Sequence, residues 1–137
     1  MNQNGIIIPG MRYKDAPAMI EWLEKAFGFE KHLVVEGENN TIEHAQLTLG
    51  NSMIMLGTEK HQRDYDQLFK TPPNLDGFNT MALYVIVEEI DQHYEHSREA
   101  GAEIVLELED QDHGGKLYTC RDPEGYIWNF GSYDPWK

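Results

Sequence analysis

Cysteine is almost missing from this chain. Cys120 is the single one in 137 residues, so no internal disulfide can form, and a reducing compartment is favoured. Long apolar runs are missing too. None approaches the ~18 residues that a membrane helix requires. The opening MNQNGIIIPG has no basic segment and reads as no secretory leader, so a cytoplasmic location is expected. Basic residues are scarce: 11 Lys and Arg stand against 24 Asp and Glu, for a net charge of −13. Such a surface repels phosphate backbones, so neither nucleic acid nor membrane is an expected partner. Several chemistry-bearing motifs are also absent. There is no glycine-rich dinucleotide loop, no phosphate-binding loop, no nucleophile elbow and no His-Glu-x-x-His. His93 and His96 lie three apart on a predicted helix, which reads as a solvated face.

What is present is a pattern that occurs twice. Residues 5–13 form a strand candidate interrupted by Pro9 and Gly10. Asp15 caps a helix with Pro17 in its first turn, and Met19, Ile20, Leu23, Ala26 and Phe27 recur at helical spacing up to Gly28. Strands follow at 31–35, 41–49 and 52–56. In the middle one, Ala45, Leu47 and Leu49 alternate with His44, Gln46 and Thr48. Residues 59–80 are polar, contain Pro72–Pro73, and read as a linker with one helical turn near 66–69. Then the order returns. A strand spans 81–87, a helix capped by Asp91 ends at Gly101, a strand spans 104–108, and a hairpin closes around Asp122–Pro123–Glu124–Gly125. Gly28 and Gly101 are 73 residues apart, and Gly57 and Gly131 are 74 apart. A period this long signals duplication of one supersecondary unit. The expected fold class is α+β, with a helix covering one face of each sheet.

The stretches PAMIEWLEKAFGFE, EHAQLTLGNSMIML, AGAEIV and, most specifically, YTCRDPEGYIWNFGSY are similar to segments of the vicinal-oxygen-chelate superfamily. That superfamily includes glyoxalases, bleomycin-resistance proteins and dioxygenases, and the likeness is to its PhnB-like and bleomycin-resistance-like members. The resemblance covers nearly the whole chain. It implies a single domain, 1–137, of two βαβββ modules (about 5–58 and 81–134, linker 59–80) that form a cupped mixed sheet, usually in a homodimer. It also places four metal-ligand positions, at Ile8, Met55, Ala82 and Asn129. None of these is a usual ligand, because divalent ions require imidazole, carboxylate or thiolate donors. A shift of one residue, to Pro9, Ile54, Met81 or Trp128, does not restore a site. No metal and no cofactor is therefore expected.

Alternation within that cup directs a mixed set of side chains inward: Arg12, His44, Gln46, Thr48, Met53, Met55, Tyr84, Thr119, Arg121 and Asn129, with Ile86, Leu117 and Ile127 as apolar wall. His44 and Arg12 are the catalytic candidates, an imidazole as general base and a guanidinium for an anion. The expected function is metal-independent binding of a small organic molecule. The alternative is a glyoxalase-like enzyme (lyase, isomerase, dioxygenase or thiol transferase), either metal-dependent or working through His44 and Arg12.

Overall fold

The computed structural model describes residues 4–137. The first three residues of the segment read above as no leader lie outside the described part. Two compact units emerge. One comprises the chain up to Glu24 together with Gly28–Phe69, the other Lys25–Phe27 with Lys70–Lys137.

The first unit holds β1 (Gly10–Tyr13), α1 (Ala16–Phe27) up to Glu24, then β2 (Glu30–Glu36), β3 (Ile42–Leu49) and β4 (Ser52–Thr58). The sheet order is β1-β4-β3-β2, with β1 parallel to β4 and the other pairs antiparallel. β1 is shorter than expected. Residues 5–9 are not in a strand, and pairing begins where Met55 N donates to Pro9 O at 2.9 Å. Asp15 caps α1 by accepting from Ala18 N at 3.2 Å, and Gly28 ends the helix in a left-handed conformation. Alternation decides which strand face is dry. Met11, Tyr13, Ala45, Leu47, Ile54 and Leu56 are buried, while Arg12, His44, Gln46, Thr48, Met53 and Met55 share the half-buried opposite face. A fully buried Leu or Ile stabilises by roughly 1.5–3 kcal/mol.

The second unit repeats the plan. β5 (Leu83–Ile86), α2 (Ile90–Glu99), β6 (Glu103–Asp110), β7 (Lys116–Arg121) and β8 (Ile127–Gly131) give the order β5-β8-β7-β6, with β5 parallel to β8. Its core is aromatic: Tyr118, Trp128 and Phe130 are fully buried, with Phe27 packed 5.1 Å from Trp128 and 4.7 Å from Phe130 between ring centroids. The closing hairpin explains why its sequence is so distinctive. Asp122 Oδ1 accepts from Glu124 N (3.0 Å) and Tyr126 N (3.1 Å), while Oδ2 accepts from the Trp128 indole N–H (3.1 Å). One carboxylate therefore shapes the turn and seats the largest core residue.

Three expectations need correction. Asp91 is not the cap of α2. Glu89 holds that position without a side-chain bond, and Asp91 instead accepts from Lys116 Nζ at 2.9 Å. The linker is more structured than its composition suggests, with two 3₁₀ turns at Tyr65–Leu68 and Pro72–Leu75 and buried anchors at Asp66, Thr71 and Pro72. Finally, His93 is not on a solvated face, whereas His96 is exposed as expected. His93 Nε2 donates to Phe27 O (3.1 Å), so Nδ1 accepts from the Tyr118 hydroxyl (2.7 Å), which also bonds Ser97 Oγ (2.8 Å). His96 Nε2 donates to Lys25 O at 2.7 Å. The last carbonyls of a helix lack intrahelical partners, and these two imidazoles supply them. Among the described residues, no helix is long and apolar enough to cross a membrane.

Candidate functional site

The second unit carries a pocket of about 320 Å³ on the sheet face opposite its aromatic core. Its wall comes from β5 (Tyr84), the loop before β7 (Gln111, His113), the start of β7 (Lys116, Leu117), β8 (Asn129) and the tail (Tyr133, Pro135). Strand register brings the central pair together: Tyr84 lies beside Asn129, and Asn129 pairs with Thr119.

Asn129 is fixed on both sides. Its Oδ1 accepts from Thr119 Oγ1 at 2.6 Å, and its Nδ2 donates to Leu83 O at 3.2 Å. Since Leu83 O can only accept, the amide orientation is settled, and capacity for one more donated and one more accepted bond remains. Tyr84 donates its hydroxyl to Tyr133 O at 2.6 Å, which ties strand to tail. Partial burial, followed by the negative charge of Asp134, pushes the Tyr84 phenol above its ordinary value, so it remains a neutral donor. The ring crosses β8 directly over Gly131, where a Cβ would lie 2.5 Å from the Tyr84 hydroxyl oxygen. Glycine at that position is what permits the crossing. His113 meets Tyr133 edge to face, with centroids 4.8 Å apart.

Of the side chains expected in the cup, Tyr84, Leu117 and Asn129 line this pocket, and Thr119 supports Asn129. Arg121 reaches the sheet edge and pairs with Glu103 at 3.3 Å. Arg12, His44, Gln46, Thr48, Met53 and Met55 belong to the first unit. There, Gln46 Nε2 donates to His44 Nε2 at 3.1 Å, which occupies the nitrogen a general base would use. The Arg12 guanidinium faces the rings of Tyr65 and Phe69, at 5.8 and 5.5 Å from their centroids, so the first 3₁₀ turn is held beside β1. Gln111, His113, Lys116, Tyr133 and Pro135 were not anticipated. Lys116 opens β7, and the others sit in a loop and a tail, where no periodicity assigns a facing. The run Tyr133–Asp134–Pro135 just after β8 was the available signal.

The four metal positions implied by the resemblance can be tested against these surroundings. Ile8 and Ala82 are exposed, precede their strands and carry no donor atom. Met55 offers a thioether, and Asn129 a neutral amide already bonded at both ends. This set does not fit a divalent ion. Among the described residues, no group of three or more His, Cys, Asp or Glu side chains is arranged to hold a metal.

Two repeats of one βαβββ unit, with a ligand-sized pocket on a strand face, define a paired-module α+β protein. A model of the Glyoxalase/Bleomycin resistance protein/Dioxygenase superfamily matches residues 6–130, and the chain belongs to that superfamily. An uncharacterized Mycobacterium tuberculosis protein is 28% identical over 131 residues, covering 96% of this chain and 76% of the relative. Among solved structures, TioX from Micromonospora sp. ML1 superposes with a TM-score of 0.73 at 27% identity, covering 93% of this chain and 98% of TioX. A Listeria monocytogenes fosfomycin resistance protein, FosX, in complex with Mn(II) and 1S,2S-dihydroxypropylphosphonic acid, gives a TM-score of 0.65 at 14% identity. It covers 98% of this chain and 94% of FosX, and that likeness concerns the fold alone.

Proposed function

We propose that this protein binds a small organic molecule without a metal ion, in the pocket of its second unit. The observation that carries this reading is Asn129. A superfamily metal ligand is expected at its position, yet a neutral amide stands there, locked between Thr119 and Leu83 and facing a pocket of about 320 Å³. An amide fixed in this way orients a hydrogen-bonding ligand and provides no charge to offset the dehydration of a divalent cation. The pocket is mostly apolar with a few fixed polar groups, which suits small-molecule recognition.

A homodimer belongs to the same proposal. The edge strands β2 and β6 expose Leu33, Val35, Val105 and Leu106, and an open apolar edge favours pairing with another copy. Light scattering is expected to give twice the 15.8 kDa of the chain.

Elemental analysis of protein purified without chelator, together with a thermal-shift screen of small molecules, tests the reading. Substoichiometric metal and at least one compound that raises the melting temperature are expected. One nickel, zinc, manganese or iron per chain, whose removal abolishes a lyase or dioxygenase activity, overturns it.

A further inference from the structure

The reading above leaves the ligand's chemistry open, and the pocket's charges narrow it. The cationic side chain in the wall is Lys116, whose ammonium lies 2.9 Å from Asp91 Oδ1 and is held by that pair. Asn129 presents a neutral amide, and Gln111 directs its Nε2 to the carbonyls of Glu109 (3.2 Å) and Asp110 (3.4 Å). Carboxylates act on the wall from outside its lining. Asp134 follows Tyr133 and acts electrostatically on Tyr84, Asp110 acts on Lys116, and Asp112 precedes His113. An anion placed here would lose water without meeting an uncommitted positive charge in the wall.

The remaining wall is rich in aromatic rings. The Tyr84 hydroxyl donates to the Tyr133 carbonyl, and His113 packs edge to face on the Tyr133 ring. Aromatic faces carry negative potential and attract cations. The residual acceptor of Asn129 Oδ1 suits an N–H on such a ligand.

We infer that the second-unit pocket takes a flat, fused-ring aromatic cation, with its ring against the Tyr84–Tyr133 wall and an N–H directed to Asn129. This rests on the small-molecule reading of the same pocket and specifies its ligand class.

Proflavine, a planar cation, and anilinonaphthalene sulfonate, an aromatic anion, separate the possibilities when titrated by fluorescence into the full chain at about 150 mM salt, where long-range surface attraction is screened. One proflavine per chain is expected, bound at least about tenfold more tightly than the sulfonate. Leu117→Lys places an ammonium in the wall and should weaken proflavine about tenfold while tightening the sulfonate. Glu21→Gln makes the same change in net charge on the exposed side of α1 and should alter neither. Tyr133→Leu keeps apolar bulk but removes the π face. It should weaken proflavine and spare the sulfonate, so the inference stays testable should Leu117→Lys fail to fold. Sulfonate binding as tight as proflavine, or equal effects of Glu21→Gln and Leu117→Lys, overturns the ligand class while leaving small-molecule binding in place. No binding by either probe, with no hit in the wider thermal-shift screen, overturns both.

Discussion

The two units share a backbone plan and differ in what they place on it. In the first, β1 lies parallel to β4 with Gly10 opposite Met55. In the second, 74 residues on, Tyr84 lies opposite Asn129. The first unit's position has no side chain to build a wall, and its neighbouring guanidinium, Arg12, faces the aromatic rings of the following 3₁₀ turn. The second unit's position carries a phenol that crosses β8 and bonds the tail. The dry faces diverge as well: Ala45, Leu47, Ile54 and Leu56 in one, Tyr118, Trp128 and Phe130 in the other. Duplication conserves the ladder, because ladder hydrogen bonds are made by backbone. Function resides in the side chains, and those are free to differ.

The sharpest way to break that comparison is through the equivalent core residues Ile54 and Trp128. Trp128→Ala should lower the unfolding free energy by ~3–5 kcal/mol, and Ile54→Ala by ~2–5 kcal/mol with a smaller central value. The excess comes from Asp122, since Asp122→Ala alone strands the indole N–H and two turn N–H groups at a cost of ~1–3 kcal/mol. Urea denaturation of both single variants and the Trp128/Asp122 double variant should show strong non-additivity. If Ile54→Ala costs more than Trp128→Ala, the closing hairpin is not the tighter of the two.

A finer test uses the glycines at equivalent points. Gly131→Ala brings a Cβ against a side chain, the Tyr84 ring, which can swing aside. Gly57→Ala brings it against backbone, with Glu43 O at 3.1 Å and Ile42 O at 3.4 Å. Gly57→Ala should therefore cost ~1–3 kcal/mol of stability and leave proflavine binding unchanged. Gly131→Ala should lose less stability and weaken proflavine. Urea midpoints and dye titrations on the two variants decide this, and a reversed pattern would show that Tyr84 is not held in place by the glycine beneath it.

The repeated order of elements was readable because alternation, caps and turn residues act locally. Asp15, Gly28 and the Asp122 hairpin all perform the roles their sequence contexts suggest. The pocket was half readable. Tyr84, Leu117 and Asn129 stand on strands, where period two assigns a face. Gln111, His113, Tyr133 and Pro135 stand on a loop and a tail, whose facing is set by long-range packing. His93 departs from the solvated-face expectation for a related reason, while His96 is exposed. Spacing along α2 says nothing about which carbonyl of α1 an imidazole meets.

His93 yields the smallest expected effect and distinguishes the units by pH. Burial among Phe27, Tyr118 and Phe130 lowers its pKa below the ordinary 6.5. The Phe27 carbonyl opposes that shift, and His96 adds to it. The groups facing it are the Phe27 carbonyl, which only accepts, the Tyr118 hydroxyl, which burial keeps protonated, and His96 one turn on. The unfolded chain then binds more protons than the folded one below about pH 6.5, and stability must fall as pH drops through that value. In the first unit, Glu43 and Asp66 are shifted downward by hydrogen bonds from Lys60 and Arg63. Their contribution is lost only as pH falls below the ordinary carboxylate range. Melting curves between pH 7 and 5 should therefore decline for the native protein and decline less for His93→Gln. A decline of the same slope in His93→Gln would place the acid sensitivity elsewhere. Amide exchange should rise first in α2 and the Phe27 turn, before any part of β3 or β4.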